Sequence, residues 1–356
     1  MPDPVEHLRR LLEAGEVIAE LDLADAQLSG QDLSGGVFES VKFAGANLSQ
    51  CNLRESLFFN CDLDGTKLDR GDLRRITVSQ CTFRNASFAG CDLTYSKFNE
   101  ADCSSAKFAR ADLSMAAFNA CRFDDADLRE ALVGQTAFIK PSIARIDLRG
   151  LHAAQTVFID ADFTTALLDG CCFDRAVLNN ARLAGKNLSR SDFSRSQLMS
   201  ADLSGCDLSH AKLMGCNFKS ANLQGCKLGA ADLSNAVLVE ALATRAMFQK
   251  AQLTQAILIR ADLTDADLAH ATLSQANLQH AHCIGARFVG ADLSYADLSY
   301  AELTRSDFRD ATFLRTNLHL AKGEGTRFST REGVLDDDRE LLEAERWRAP
   351  RTLEEN

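Results

Sequence analysis

The chain has 356 residues, 46% of them hydrophobic and 25% charged, with a formal net charge of −11. That composition excludes a disordered chain, and the lack of any apolar run near ~18 residues excludes a helical membrane span. Residues 21–330 hold 32 basic against 36 acidic side chains, a near-balance that argues against direct nucleic-acid binding.

Residues 1–20 read as an N-terminal helical cap. Asp3, Pro4 and Glu6 carry a helix-start signature, with the Glu6 carboxylate three places after the cap. Val5, Leu8, Leu11 and Leu12 supply one apolar side, and Gly15 is placed to end the helix. The segment MPDPVEHLRR lacks the layout of a secretory signal, so a cytoplasmic address is expected.

From residue 21 the chain repeats every five residues. Of the 60 positions at every fifth residue from Leu23 to Leu318, 34 are Leu and 19 are Phe. Two places before each, 52 of the 60 positions are Ala, Cys, Ser, Thr or Gly. Residues two apart on an extended segment point the same way. Each unit therefore turns one small and one large residue inward, then bends. Glycine supports the bend: 14 of 19 in residues 21–330 sit two places after the Leu/Phe, where a turn with positive φ needs them.

Units such as AGANLS, ADLSGCDLS and ADLSYADLSYAELT resemble the pentapeptide-repeat family, Ala-(Asp/Asn)-Leu-x-x. The resemblance covers residues 21–330 and implies an all-β fold, a right-handed quadrilateral β-helix. It implies four units per coil and about fifteen coils, and the terminal residues add short helical caps at both ends. A non-enzymatic protein is expected.

Four units per coil would stack every fourth unit on one wall, and the outward residues test this. Three walls hold few large aliphatic or Phe side chains: Leu242 and Ile284; Leu167, Met247 and Val289; Leu132, Met214 and Leu314. The fourth holds Val37, Leu57, Phe59, Ile139, Val157, Ile159, Val177, Met199, Val237, Val239, Ile257 and Ile259. Strand propensity alone favours Val and Ile on exposed strands, but it would enrich all four walls. A contiguous apolar patch marks a contact surface, so these twelve are the candidate site. Between its clusters the wall turns polar at Gln197, Asn217 and Lys219.

The repeat is least regular over residues 131–160, where Pro141, Ile146, Leu151 and Ala153 replace the expected types. Lys186 occupies the small inward column. Drift in the repeat, a turn defect and a binding spot are all open readings there. Residues 331–356 read as a C-terminal helix and tail. Asp336, Asp337 and Asp338 suit a helix start, and Arg346 and Arg348 its end. Val334, Leu335, Leu341, Leu342 and Trp347 are apolar cover for the last coil or for a second copy. The family implies dimerisation through such helices in some members.

Catalytic signatures are absent. Nine of twelve Cys occupy the small inward column, Cys103 and Cys283 the central one, and only Cys172 is expected to face outward. They read as buried thiols filling space. The seven His are scattered, and His280 and His282 have no third ligand, so no metal or cofactor is expected. Phosphate-loop and nucleophile-elbow motifs are missing.

A bacterial binding scaffold or adaptor is the expected function, with a protein or a second copy as partner. The lead HLRRLLEAGEVIAELDL is similar to family members linked to type VI secretion. The alternative is a DNA-mimicking modulator of DNA gyrase, as in the quinolone-resistance members. Asp32, Asp72, Asp92, Asp112, Asp192, Asp232 and Asp292 share one wall and favour it. Arg54, Arg74 and Lys212 on the same wall oppose it.

Overall fold

The computed structural model describes residues 4–347. Its backbone is a parallel, four-sided β-solenoid of about 16 turns with a short helix at each end. Within the repeat every ladder partner lies four units further along the chain. Asp22 bridges Lys42, Gln27 bridges Asn47 and Asp32 bridges Asn52, while Val37–Glu39 pairs with Leu57–Phe59. Four bridges per turn define four walls, named here by their inward residues: wall 1 (Leu23, Phe43), wall 2 (Leu28, Leu48), wall 3 (Leu33, Leu53) and wall 4 (Phe38, Phe58). Coils are numbered by the wall-4 residue they carry, from coil 1 (Val37) through coil 12 (Ile257) to coil 15 (Asn317).

Each rung closes with two backbone hydrogen bonds; Leu23 N–H donates to Lys42 O at 2.8 Å and Lys42 N–H to Leu21 O at 3.0 Å. The corners turn on a positive-φ residue at every fifth position except Thr165, whether Gly30 (φ 73), Asp25 (φ 57) or Arg70 (φ 57). Glycine relieves this strain where it occurs but is not required at each corner.

Wall 4 is the most extended. There β1 (Ile18–Ala19), β2 (Val37–Glu39), β3 (Leu57–Phe59), β4 (Thr77–Ser79), β5 (Lys97–Asn99), β6 (Ala117–Asn119), β7 (Ala137–Ile139) and β8 (Val157–Ile159) form one eight-stranded parallel sheet.

The Leu/Phe column fills the tube and is fully buried. Its preference for Phe over Tyr follows from stacking one coil apart. Phe98, Phe118, Phe138 and Phe158 lie with ring centroids 4.8, 5.2 and 4.7 Å apart and nearly parallel planes. That spacing matches the rise of a parallel ladder, so each ring rests on the next and a phenol hydroxyl would find no acceptor. The small column serves the backbone. Ser56 Oγ donates to Leu33 O at 2.9 Å and Thr136 Oγ1 to Leu113 O at 2.7 Å, each satisfying a carbonyl one coil back.

Helix α1 (Pro4–Ala14) caps the first coil, with Leu8 1% exposed and Val5, Leu11 and Leu12 packed on the core. Gly15, at φ +67, ends the helix, and its N–H donates to Leu12 O at 3.0 Å. Asp3 and Arg348 lie outside the described residues. At the far end the ladder runs past the fifteen coils expected. β9 (Asp307–Phe308) pairs with β11 (Arg327–Phe328), and β10 (Thr316–Asn317) with β12 (Val334–Leu335). The last pairing falls short of the regular spacing, because Thr316 meets Val334 and not Asp336. The return needs Gly333, whose φ is +84 and where a Cβ would sit 2.1 Å from Phe313 O.

Helix α2 (Arg339–Arg346) then folds back over wall 4 of the last two coils. Asp338 caps it by accepting from the Glu340 and Leu341 N–H groups. Beneath it His319 is 1% exposed, its Nδ1 accepting the Asp338 N–H at 3.1 Å. Tyr300 Oη donates to the Glu345 carboxylate. Val334 and Leu342 are half-buried, whereas Leu335, Leu341 and Trp347 stay exposed.

Candidate functional site

The twelve apolar residues singled out above all lie on the outer surface of wall 4, half-buried among neighbouring side chains or exposed. The ladder brings them together in register. Val37 is beside Leu57, Ile139 beside Ile159, Val157 beside Val177 and Val237 beside Ile257. Phe59 and Ile257 are the most exposed, at 37% and 36%. Three patches result: coils 1 and 2, coils 6 to 9, and coils 11 and 12. Thr77, Ser79, Lys97 and Asn99 separate the first two, and Asn217 and Lys219 the last two. Among the described residues, the polar contacts of α2 with wall 4 are at Tyr300 and His319, on coils beyond all of these.

Tyr95, Met115 and Tyr295 are exposed at corners and escaped a reading confined to wall positions. Tyr95 and Met115 stand at successive corners leading into wall 4 and line a shallow groove with Gln135, Gln155 and Arg175. Their signal was available as a second column with the same period, one step outside the wall. The other walls expose scattered residues, Leu132, Met214 and Leu314 on wall 3, Leu167 on wall 2 and Leu242 on wall 1, and the bridge partners of Leu132, Leu167 and Leu242 are all Asp or Asn.

The irregular segment changes the ladder locally. Rungs are missing between residues 132 and 152, 142 and 162, and 167 and 187 among the described residues. Leu151 and Ala153 exchange bulk within one strand, large in the small column and small in the large one, and both stay buried. Lys186 is not enclosed as its column implies. It is half-exposed, and its Nζ donates to Ala166 O at 2.7 Å, the carbonyl that the missing rung would otherwise have used. Wall 4 keeps its register through this stretch, with Ala137 beside Val157.

The outward Asp and Asn residues hold backbone. Asp32 Oδ1 accepts the Ser34 N–H at 3.0 Å, and Asp92 and Asp112 do the same two residues on. The acids of wall 3 also meet their own cations. Arg74 pairs with Asp72 and approaches Asp92 at 3.6 Å, and Lys212 lies 3.3 Å from Asp192. The Arg74 guanidinium, ahead of the Arg74 N–H, holds the Asp72 carboxyl below its usual range.

All twelve cysteines are free thiols; Cys172 alone is partly exposed. Burial pushes the Cys91 and Cys171 thiols up to about 12 and Cys121 and Cys206 to about 11, which suppresses nucleophilic chemistry. No group of three His, Cys, Asp or Glu is placed to hold a metal ion among the described residues. His280 stacks on Tyr300 at 4.7 Å instead. No described helix is long and apolar enough to cross a membrane.

Two family models match the chain. One, described as a pentapeptide repeat region, matches residues 31–108 and 156–233. The other, pentapeptide repeats in eight copies, matches 96–135, 216–259, 256–294 and 286–322. Among curated proteins nothing matches. Solved structures similar to this chain include HetL, a pentapeptide repeat protein involved in heterocyst differentiation regulation from the cyanobacterium Nostoc sp. It is 27% identical, with 67% of this chain and 89% of that one covered and a TM-score of 0.27. Full-length QnrB1, a plasmid-mediated fluoroquinolone resistance protein, is 21% identical over 80% of this chain and 96% of its own, with a TM-score of 0.21. Rfr23, from the cyanobacterium Cyanothece, is 22% identical over 45% and 91%, with a TM-score of 0.19.

Proposed function

Since the chain belongs to the pentapeptide-repeat family, we propose that it is a non-enzymatic binding scaffold whose contact surface is wall 4. The observation that carries this reading is the confinement of twelve outward apolar side chains to one wall of four. A rigid ladder sets them in register over about 53 Å, taking ~4.8 Å for each of the eleven steps from coil 1 to coil 12. Burying one such side chain contributes roughly 1.5–3 kcal/mol, so one patch of several outweighs much of the cost of association. The acids that would serve a DNA mimic are engaged with backbone N–H groups and with Arg74 and Lys212, which favours the scaffold.

The test compares captured proteins and solution mass for the wild type and the Ile139→Asp/Ile159→Asp/Ile257→Asp variant. These sites point outward, so circular dichroism should be unchanged while partner capture or self-association is lost. Equal capture and equal mass for the two proteins would refute the assignment of wall 4.

A further inference from the structure

Resting on that reading of wall 4, we infer that its occupant is a second copy of this chain, docked antiparallel so that coil n faces coil 13 − n of its partner. A two-fold interface must be complementary to itself, and the pattern along wall 4 meets this condition. With the axis between coils 6 and 7, Val37 faces the partner's Ile257, Leu57 faces the partner's Val237 and Ile139 faces the partner's Ile159. In all, ten of the twelve apolar residues face an apolar side chain. Only Met199 and Ile259 do not; they face the partner's Asn99 and the partner's Glu39.

Charge sets the register. The corner leaving wall 4 carries Lys140 on coil 6 and Asp160 on coil 7. In the proposed pairing each Lys140 faces the partner's Asp160, twice across the axis. Glu39 on coil 1 comes beside the partner's Arg260 at the same corner. Sliding by one coil sets Asp160 against its own copy in one direction, and Lys140 against its own copy in the other. Like charges so placed suppress both slips. A parallel pair would match the apolar pattern nearly as well, but it sets Lys140 against the partner's Gln135 and Asp160 against the partner's Gln155, with no ion pair formed.

Extent and ends agree with this register. Twelve coils by about 10 Å of wall give about 1,000 Å² over the two protomers, the scale at which a specific interface becomes stable. Helix α2 covers wall 4 on coils 14 and 15, which in this register project past the partner's β1. Sliding toward the C-terminal end would drive α2 onto that strand.

Sedimentation of the full chain should give twice the 38.8 kDa monomer mass. Lys140→Asp should weaken the dimer about tenfold, and Lys140→Asp/Asp160→Lys should restore it. For register, Leu57→Cys and Val237→Cys are each made in a Cys172→Ser background and treated with a bismaleimide of about 10 Å reach, matched to the spacing of facing sheets. Within one chain these sites are nine coils, about 43 Å, apart. A mixture of the two variants should cross-link, and neither alone should. A monomer throughout the micromolar range, or Leu57→Cys linking to its own copy, would overturn the antiparallel dimer. A monomer whose protein capture still depends on Ile139, Ile159 and Ile257 would leave the scaffold reading standing.

Discussion

At the level of single residues, position in the five-residue unit decides chemistry more than residue type does. Cysteine shows this most clearly. Eleven of the twelve stand in inward columns and are buried, while Cys172 stands in an outward one and is partly exposed. Burial raises most of the inner thiols, Cys91 and Cys171 to about 12, so both access and ionisation oppose reaction; Cys61, lowered by its contact with Cys81, is protected by burial alone. Native protein at pH 7.5 should therefore take up one equivalent of a maleimide, at Cys172, and twelve after denaturation. Rapid native labelling of several sites would mean that the tube is not closed. This partition was legible in the sequence, because the register runs unbroken past every cysteine.

Elements were legible to different degrees. Helix α1 follows from Pro4, the Leu8–Leu11–Leu12 face and Gly15, all local signals. The return at the other end does not, because residues beyond 330 leave the repeat and the shortened rung depends on Gly333 fitting against Phe313 O. His319 is buried for the same reason: it occupies an outward column, and only the fold-back of α2 covers it. Lys186 was anomalous in the sequence, but its resolution needed the free carbonyl of Ala166. Strand β8 offers a direct contrast between adjacent positions. Phe158 stacks on Phe138 at 4.7 Å inside the tube, so Phe158→Ala should cost roughly 3–5 kcal/mol. Its neighbour Ile159 faces outward, and Ile159→Ala should change stability by no more than about 0.5 kcal/mol in the monomer. Denaturant titration of the two variants checks this, and equal losses would contradict the inward–outward assignment.

For the whole molecule, four walls share one core and differ in what they offer outside. Walls 1 to 3 carry Asp and Asn engaged with backbone or with nearby cations, whereas wall 4 carries apolar side chains in register. The wall itself was legible because every fourth unit could be sorted together without coordinates. Tyr95 and Met115 recur at its corners with the same period and could have been sorted in the same way, whereas Lys140 and Asp160 gained meaning only when the ladder placed them beside wall 4. The most direct measurement is the association of two triple variants of equal chemical severity. Ile139→Asp/Ile159→Asp/Ile257→Asp alters wall 4, and Leu132→Asp/Leu167→Asp/Leu242→Asp places one charge on each other wall, at leucines already exposed. Sedimentation should show association abolished by the first and kept by the second; loss in both, or in neither, would contradict wall 4 as the contact surface.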